Sequence, residues 1–367
     1  MKIAEVIRHL EAIAPPAVQE SYDNAGLITG QPDSECGGII VCLDATEPVI
    51  AEAIEKKCNL IIAHHPILFR PLTKITGSDY VQQALIRAIK NDVAIYAIHT
   101  NLDNVIGGVS GKMAQVLGLM NIQVLQPKKQ SLEKLYTFVP TEYAEVVRQS
   151  IFKAGAGRVG NYSACSFNSN GIGTFTAGTG TNPFIGEVGE AVKAKEIKIE
   201  TIYPSHLRSE VIKAMIEAHP YEEVAYDIVK LENEYQKIGA GVVGELPEAM
   251  EEKVFLKLLK EKFQLQVIRH TPLLKRQVRK VALCGGAGSF LISNALTTGA
   301  DFFITGDVKY HEFFDAHGRM VIADIGHFES ERYTIELLQQ LLVEKFPTFA
   351  VLKSGIQTNP VNYYFEV

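Results

Sequence analysis

The sequence contains no tryptophan and only five cysteines, Cys36, Cys42, Cys58, Cys165 and Cys284, among its 367 residues. An odd number of thiols without Cys-x-x-Cys spacing excludes a disulfide framework and a cysteine-rich zinc site, and the expected location is cytoplasmic. No apolar run approaches the roughly 18 residues of a membrane-spanning helix, so no contact with a membrane is expected. Positive charge is not in excess. Lys plus Arg is 36 against 42 Asp plus Glu, a net charge of −6, which argues against a nucleic-acid binder that works by neutralising phosphates. The opening stretch MKIAEVIRHLEAIAPP has the periodicity of an amphipathic helix and not the layout of a signal peptide. What is abundant is apolar residues, 47%, with 21% charged residues. That composition buries a sizeable core and excludes a disordered chain. The length suits two domains, or one large domain carrying an insertion.

Along the chain, residues 2–14 read as a helix stopped by Pro15-Pro16. Three nearly continuous apolar runs follow, at 38–44, 60–63 and 93–98, separated by helical stretches at 47–57 and 79–91, with another at 109–118. Short runs of this kind suit strands buried on both faces, and their alternation with helices predicts a parallel α/β sheet. The pattern changes near Pro127. A strand at 135–139, a helix at 142–154, a polar Gly/Asn/Ser/Thr-rich stretch at 155–189, a strand at 194–203, a helix at 205–218 and a strand at 224–229 follow. Allowing two short strands in the polar middle, this is the β-α-β-β-α-β order of a ferredoxin-like α+β unit. From about Gly241 the first style returns. It brings a helix at 250–263, strands at 278–283, 301–305 and 320–323, and a long helix from about Phe328 to Lys345. The expectation is an α/β core in two segments, 1–128 and 237–367, interrupted by a ferredoxin-like insert at 129–236.

Three motifs fall where predicted strands end: His64-His65-Pro66, His99-Thr-Asn-Leu-Asp103 and Gly326-His327-Phe-Glu-Ser-Glu331. Ligands of open α/β sheets bind beyond the carboxyl ends of strands. His327 and Glu331 stand four apart, on one face of a helix, a spacing that presents two ligands to one metal. Imidazoles and carboxylates without thiolates suit zinc, iron, manganese or nickel. His64, His65, Asp103, His327 and Glu331 together exceed the roughly three protein ligands of a single catalytic zinc. Bridging by Asp103 and Glu331 would give a two-metal site, and two cations would keep neighbouring carboxylates ionised and lower the pKa of bound water. Read singly, each motif has a plainer meaning, a packed or solvated side chain. It is the three strand ends together that point to a metal.

Other candidates are less specific. Gly285, Gly286 and Gly288 join a strand to a helix, where their N–H groups would cradle a phosphate, or simply form a tight turn. His99, Asp307 and His311 are candidates to orient a ligand or touch substrate. His99 reads equally as a buried structural residue, and Asp307 as a helix cap. His219-Pro-Tyr-Glu-Glu223 reads as a turn, and Cys284 as a small core residue.

Tyr22-Asp-Asn-Ala-Gly-Leu27, Ala63-His-His-Pro66, His99-Thr-Asn-Leu-Asp103, Thr305-Gly-Asp307 and Gly326-His-Phe-Glu-Ser-Glu331, in that order, resemble the Nif-three-like family, whose members are known as type 2 homologues of GTP cyclohydrolase 1. Tyr22 departs from the Trp usual there. The resemblance implies a Nif-three-like core of mixed and parallel sheets flanked by helices. It implies a dinuclear metal centre held by His64, His65, Asp103, His327 and Glu331, with two divalent ions, zinc foremost and iron or manganese next. It further implies a toroidal homohexamer with its sites facing an inner cavity. The insert resembles the CutA-like or PII-like modules of longer bacterial members. Two activities are compatible with these residues. One is a metal-dependent hydrolase acting on a nucleotide or related small molecule. The other is a non-enzymatic metal-binding adaptor or metal-trafficking protein with a sensing or assembly module. No residue stands out as the general acid.

Overall fold

The computed structural model describes residues 1–364. The chain divides into two compact units, one formed by Met1–Pro127 with the segment from Gln236 onward, the other by Lys128–Tyr235.

The larger unit is built on two sheets. In the first, the strands Ile39–Asp44, Leu60–His65 and Ala94–Ala97 run parallel. Val351–Lys353 adds parallel to one edge and Gly26–Thr29 antiparallel to the other. The apolar runs are continuous because both faces are covered. Alternate residues divide between two cores. Ile39, Val41, Leu60, Ile62 and Tyr96 pack with the helices Ile3–Ile13 and Thr334–Lys345. Ile40, Cys42, Ile61, Ala63 and Ile95 pack with the helices Glu47–Glu55 and Tyr80–Lys90. In the second sheet the parallel strands Gln277–Ala287, Phe302–Gly306 and Val321–Asp324 are flanked by the antiparallel strands Gly239–Glu251, Met120–Pro127 and Arg269–His270. Its faces alternate likewise. Val281, Leu283, Phe302 and Ile304 lie on the core holding Phe255 and Phe263, and Ala282, Phe303 and Ile322 on the core holding Leu291 and Ile292. The result is a mixed α/β fold of sheets flanked by helices.

Three readings of this unit need correction. Glycine-rich Gly239–Glu251, with Pro247 inside it, is a 13-residue strand that its low β-propensity hid. The helix expected from Met250 begins at Glu252. The long helix expected from Phe328 is two helices, His327–Glu331 and Thr334–Lys345. At the joint, Arg332 and Tyr333 hydrogen-bond to the carbonyls of Phe263 and Lys262.

The smaller unit has the element order β-α-β-β-α-β. Its four strands lie in the order Phe167–Thr176, Ala191–Pro204, Leu132–Pro140, Tyr226–Lys230, all antiparallel. The polar middle supplies one ten-residue strand, Phe167–Thr176, and not two short ones. Ten rungs of pairing to Ala191–Glu200 hold it despite its Asn, Ser and Gly content. The helices Ala144–Lys153 and Arg208–Ala218 cover one face, over Leu135, Val139, Ile199 and Tyr203. Inside, the Glu133 carboxylate, only 1% exposed, accepts from Tyr203 Oη at 2.9 Å and from the Arg208 guanidinium through Nε at 2.8 Å. The Arg208 hydrogen bonds hold the Glu133 carboxyl below its ordinary range.

Two predictions follow from this geometry. Pro127 and Gly239 are partners on adjacent antiparallel strands, so the smaller unit leaves and re-enters the core at neighbouring points. Replacing residues 128–235 with a short Asn/Gly turn should leave a soluble core with one cooperative thermal transition. Aggregation of that chain would show that the core needs the module. Separately, a carboxyl whose pKa is depressed on folding stabilises the protein above its unfolded pKa, and that stability is lost as pH falls through the folded value. Glu133→Gln should lower the stability of the smaller unit by roughly 2 kcal/mol at neutral pH. The difference from wild type should shrink in acid denaturation below about pH 4.

Candidate metal centre

The first sheet brings Asp44 and His65 together directly, since the two are Cα partners at the ends of adjacent parallel strands. His64 and His65 both stay within their strand, yet their ring centroids are 4.9 Å apart. Two residues beyond the strand Ala94–Ala97, His99 takes the N-cap position of the one-turn helix Thr100–Asp103. From the second sheet, Gly326, at φ +91°, turns the chain after Val321–Asp324 into the helix carrying His327 and Glu331. His65 Nε2 and His327 Nε2 come within 3.3 Å.

Four imidazoles converge, and each has its Nδ1 committed to an oxygen. His64 Nδ1 lies 2.8 Å from the Ile98 carbonyl, His65 Nδ1 2.8 Å from Asp44 Oδ1, His99 Nδ1 2.8 Å from Asp23 Oδ1 and His327 Nδ1 2.7 Å from Asp307 Oδ2. These oxygens only accept, so each Nδ1 carries a proton, and whenever a ring is neutral its lone pair is turned outward at Nε2. Those lone pairs meet further acceptors. His64 Nε2 is 3.7 Å from both Asp103 Oδ1 and Glu331 Oε1, and Glu331 Oε2 is 2.9 Å from His65 Nε2 and 3.2 Å from His327 Nε2. With the rings neutral, His64 Nε2, Asp103 Oδ1 and Glu331 Oε2 are buried without a hydrogen-bond partner. Each such orphan costs about 1–3 kcal/mol.

The electrostatics describe the same deficit of positive charge. Burial pushes the Asp103 carboxyl up; His64 opposes this and Glu331 adds to it. Burial also works against ionised Glu331, but His64, His327 and His65 hold it well below the ordinary range. Burial disfavours charged His65, yet Asp44 and Glu331 outweigh it and raise the imidazole to about 10. His327 rises to about 9 because Glu331 and Asp307 outweigh its burial. A pocket that draws protons onto imidazoles this strongly also attracts a metal cation. Two triads have ligand atoms mutually within 4.8 Å, His64 with His65 and His99, and His65 with His327 and Glu331. The donor set fits a metal ion.

The remaining predicted residues separate clearly. Asp307 orients His327 and His99 joins the imidazole cluster. His311 is not brought there. It is exposed on the 3-10 segment Tyr310–Ala316, stacked on Phe314 and edge-on to Tyr310. The glycine motif does not form an open phosphate cradle, because its amides are spent. Gly285 N donates to Ser110 Oγ, Gly286 N to Ser330 Oγ and Gly288 N to Thr305 Oγ1, and Gly285 and Gly286 lie inside the strand Gln277–Ala287. Gly286 serves the site differently. It has φ +62°, and a Cβ there would lie 2.3 Å from Glu331 Oε1, so a glycine is needed for the carboxylate to reach the cluster.

Two supporting residues were not picked out from the sequence. Asp44 also accepts from Thr358 Oγ1 at 2.7 Å. Asp23 accepts from Thr100 N at 3.0 Å and Thr100 Oγ1 at 2.5 Å. Although burial opposes its ionisation, the His99 and Thr100 donors hold it at about 2. An Asp closing a buried strand was the available signal for Asp44. Asp23 lies in a loop without periodicity, and its signal is the Tyr22-Asp-Asn-Ala-Gly-Leu27 motif, which carries the family resemblance without giving Asp23 a role. A cavity of about 760 Å3 opens beside the cluster, lined by Tyr22, Phe69, Arg269, Cys284, Phe290 and Tyr363 among others.

An α/β protein whose strand ends gather imidazoles and carboxylates that could hold a metal ion is the class this geometry defines. Residues 1–360 match the family model Duf34/NIF3 (NGG1p interacting factor 3). The chain is 42% identical over 371 residues to the GTP cyclohydrolase 1 type 2 homolog of Halalkalibacterium halodurans, covering 99% of this chain and 100% of that one. It is 39% identical to that of Bacillus subtilis, covering 98% of each. A solved Bacillus cereus protein related to NIF3 superposes with a TM-score of 0.86 at 38% identity, over 99% of both chains. The chain belongs to the Duf34/NIF3 family.

Removing an acceptor that fixes a metal-binding imidazole typically costs about 10–100-fold in metal affinity. Asp44→Ala, which removes that acceptor and leaves every candidate ligand atom in place, should weaken zinc binding by that factor in a competition titration against a chromogenic chelator. Unchanged affinity would show that Asp44 does not orient His65.

Proposed function

We propose that this protein is a dinuclear metal-dependent hydrolase acting on a nucleotide or related small molecule, with His64, His65, Asp103, His327 and Glu331 holding two divalent ions, zinc foremost and iron or manganese next. The observation that carries this reading is the set of convergent Nε2 and carboxylate lone pairs, with every neighbouring Nδ1 already committed. Divalent ions there would supply Lewis acidity and acidify bound water. The chain's own residues do the positioning. Asp44, Asp307 and the Ile98 carbonyl fix the ligand rings, Asp23 fixes His99, and Gly286 leaves room for Glu331. Tyr22, Phe69 and Phe290, exposed along the neighbouring cavity, offer flat apolar surfaces suited to a heterocycle. Relatives known as GTP cyclohydrolase 1 type 2 homologs point the same way. Assembly as a homohexamer and a cytoplasmic location belong to this reading. Five free cysteines, and no described helix long and apolar enough to cross a membrane, are consistent with that location. We read residues 128–235 as a ferredoxin-like, CutA/PII-like insert, a reading supported by its element order and antiparallel strand order.

A second reading, a metal-binding adaptor or metal-trafficking protein, is favoured by one observation. The cavity's carboxylates are engaged. Asp44 and Asp307 hold imidazoles, Asp324 holds Arg269, Glu20 accepts from Asn104, and Glu329 accepts from Asn359. That leaves no evident general acid.

Metal content per chain, measured together with turnover on a nucleotide panel that includes GTP, separates the two. The hydrolase reading expects two ions and turnover in the wild type, and Asp103→Ala should lose at least one ion and nearly all turnover. A fully loaded wild type inert on the whole panel would contradict the hydrolase and leave the adaptor.

A further inference from the structure

The smaller unit contains a cavity of its own, about 680 Å3, lined only by its own residues. Side chains alternate along a strand. With Ile199 in the helix-covered core, Glu196 and Lys198 point to the opposite face of the sheet, where this cavity lies. Three rings wall it. The Phe175 and Phe184 centroids lie 6.0 and 6.2 Å from that of Tyr221. The His219-Pro-Tyr-Glu-Glu223 turn presents Tyr221. His219 Nε2 donates to the Phe138 carbonyl at 3.0 Å, and its Nδ1 accepts from Tyr221 N at 3.1 Å.

The carboxylate in this cavity is unusual. Glu196 is 8% exposed, and its Oε1 accepts from Tyr221 Oη at 2.8 Å. Among the described residues no Lys or Arg pairs with it. Lys198, the basic side chain lining the cavity, is spent on Glu200 at 2.9 Å and on the Tyr136 ring at 4.4 Å. Glu222 and Glu223 line the same space. Gly173 keeps that space open, since a Cβ at this position would lie 2.2 Å from Glu196 Oε2. A buried carboxylate is stable when a cation pairs with it, and aromatic faces attract cations carried on apolar bodies. Glu222 and Glu223 are exposed, so Glu196 is the one buried carboxylate here, a poor cage for a metal ion, which prefers several oxygens.

We propose that this cavity binds an organic cation, an amine, guanidine or quaternary ammonium group placed against the Glu196 carboxylate and the faces of Tyr221, Phe175 and Phe184. The site is independent of the metal centre. It gives the inserted unit a small-molecule ligand.

Saturation-transfer NMR on the full-length protein tests this with three probes sharing one ring: benzylamine, benzyl alcohol and benzoate. Benzylamine should bind and benzoate should not. Glu196→Gln should weaken benzylamine at least about tenfold, the loss of roughly one charged contact. Gly173→Ala should do the same by displacing the carboxylate. Phe184→Ala, at a half-exposed ring outside the buried core cluster, should weaken it several-fold and guards against a folding artefact at Glu196. The proposal is overturned if the wild type gives no benzylamine signal, if benzyl alcohol binds as tightly as benzylamine, or if Glu196→Gln keeps wild-type affinity.

Discussion

The structure of the larger unit turns on one constraint: four imidazoles each give their Nδ1 proton to an oxygen. That commitment fixes the tautomer of His64, His65, His99 and His327 and leaves their Nε2 lone pairs to converge with Asp103 and Glu331. A folded protein does not ordinarily bury acceptors facing acceptors. The arrangement becomes favourable once positive charge enters, first as protons, whose attraction shows in the raised His65 and His327, and a metal ion that displaced them would complete it.

The rest of the unit serves that constraint. Parallel strands covered on both faces set where their ends fall, and the supporting Asp44 is delivered by the strand beside the one bearing His65. The second sheet delivers His327 and Glu331 on a single short helix, whose Ser330 Oγ both accepts from Gly286 N and donates to the His327 carbonyl. Gly286 therefore ties strand to helix and clears the path of the Glu331 carboxylate. The glycine motif works by its amide ties and by the space it leaves for Glu331, not as a phosphate cradle. The smaller unit shares none of this. Its core is an apolar cluster around Leu135, Val139, Ile199 and Tyr203, with buried Glu133 bound to Tyr203 and Arg208, and its own cavity has a different chemistry.

Much of this was legible in the sequence because the signals were local. Strand runs such as Ile39–Leu43 read as buried on both faces because alternating polar residues are absent. The three strand-end motifs read as ligands because His and Asp are costly in such places without a partner. The supports were less visible. Asp23 and Asp44 act through pairings 76 and 21 residues away, which a single sequence does not encode. His311 misled because a His soon after a strand end resembles a site residue, while the left-handed turn at Asp307, with φ +54°, and the following 3-10 segment carry it outward. The strand Gly239–Glu251 escaped because its pairing partners, not its propensities, make it a strand.

The account rests on the claim that the cluster holds cations. Anomalous diffraction at the zinc edge, from crystals of the full-length protein grown with zinc, tests that claim most directly. The account predicts two peaks, bounded by Nε2 of His64, His65 and His327 and the carboxylates of Asp103 and Glu331. A map with no anomalous density among these atoms would contradict it.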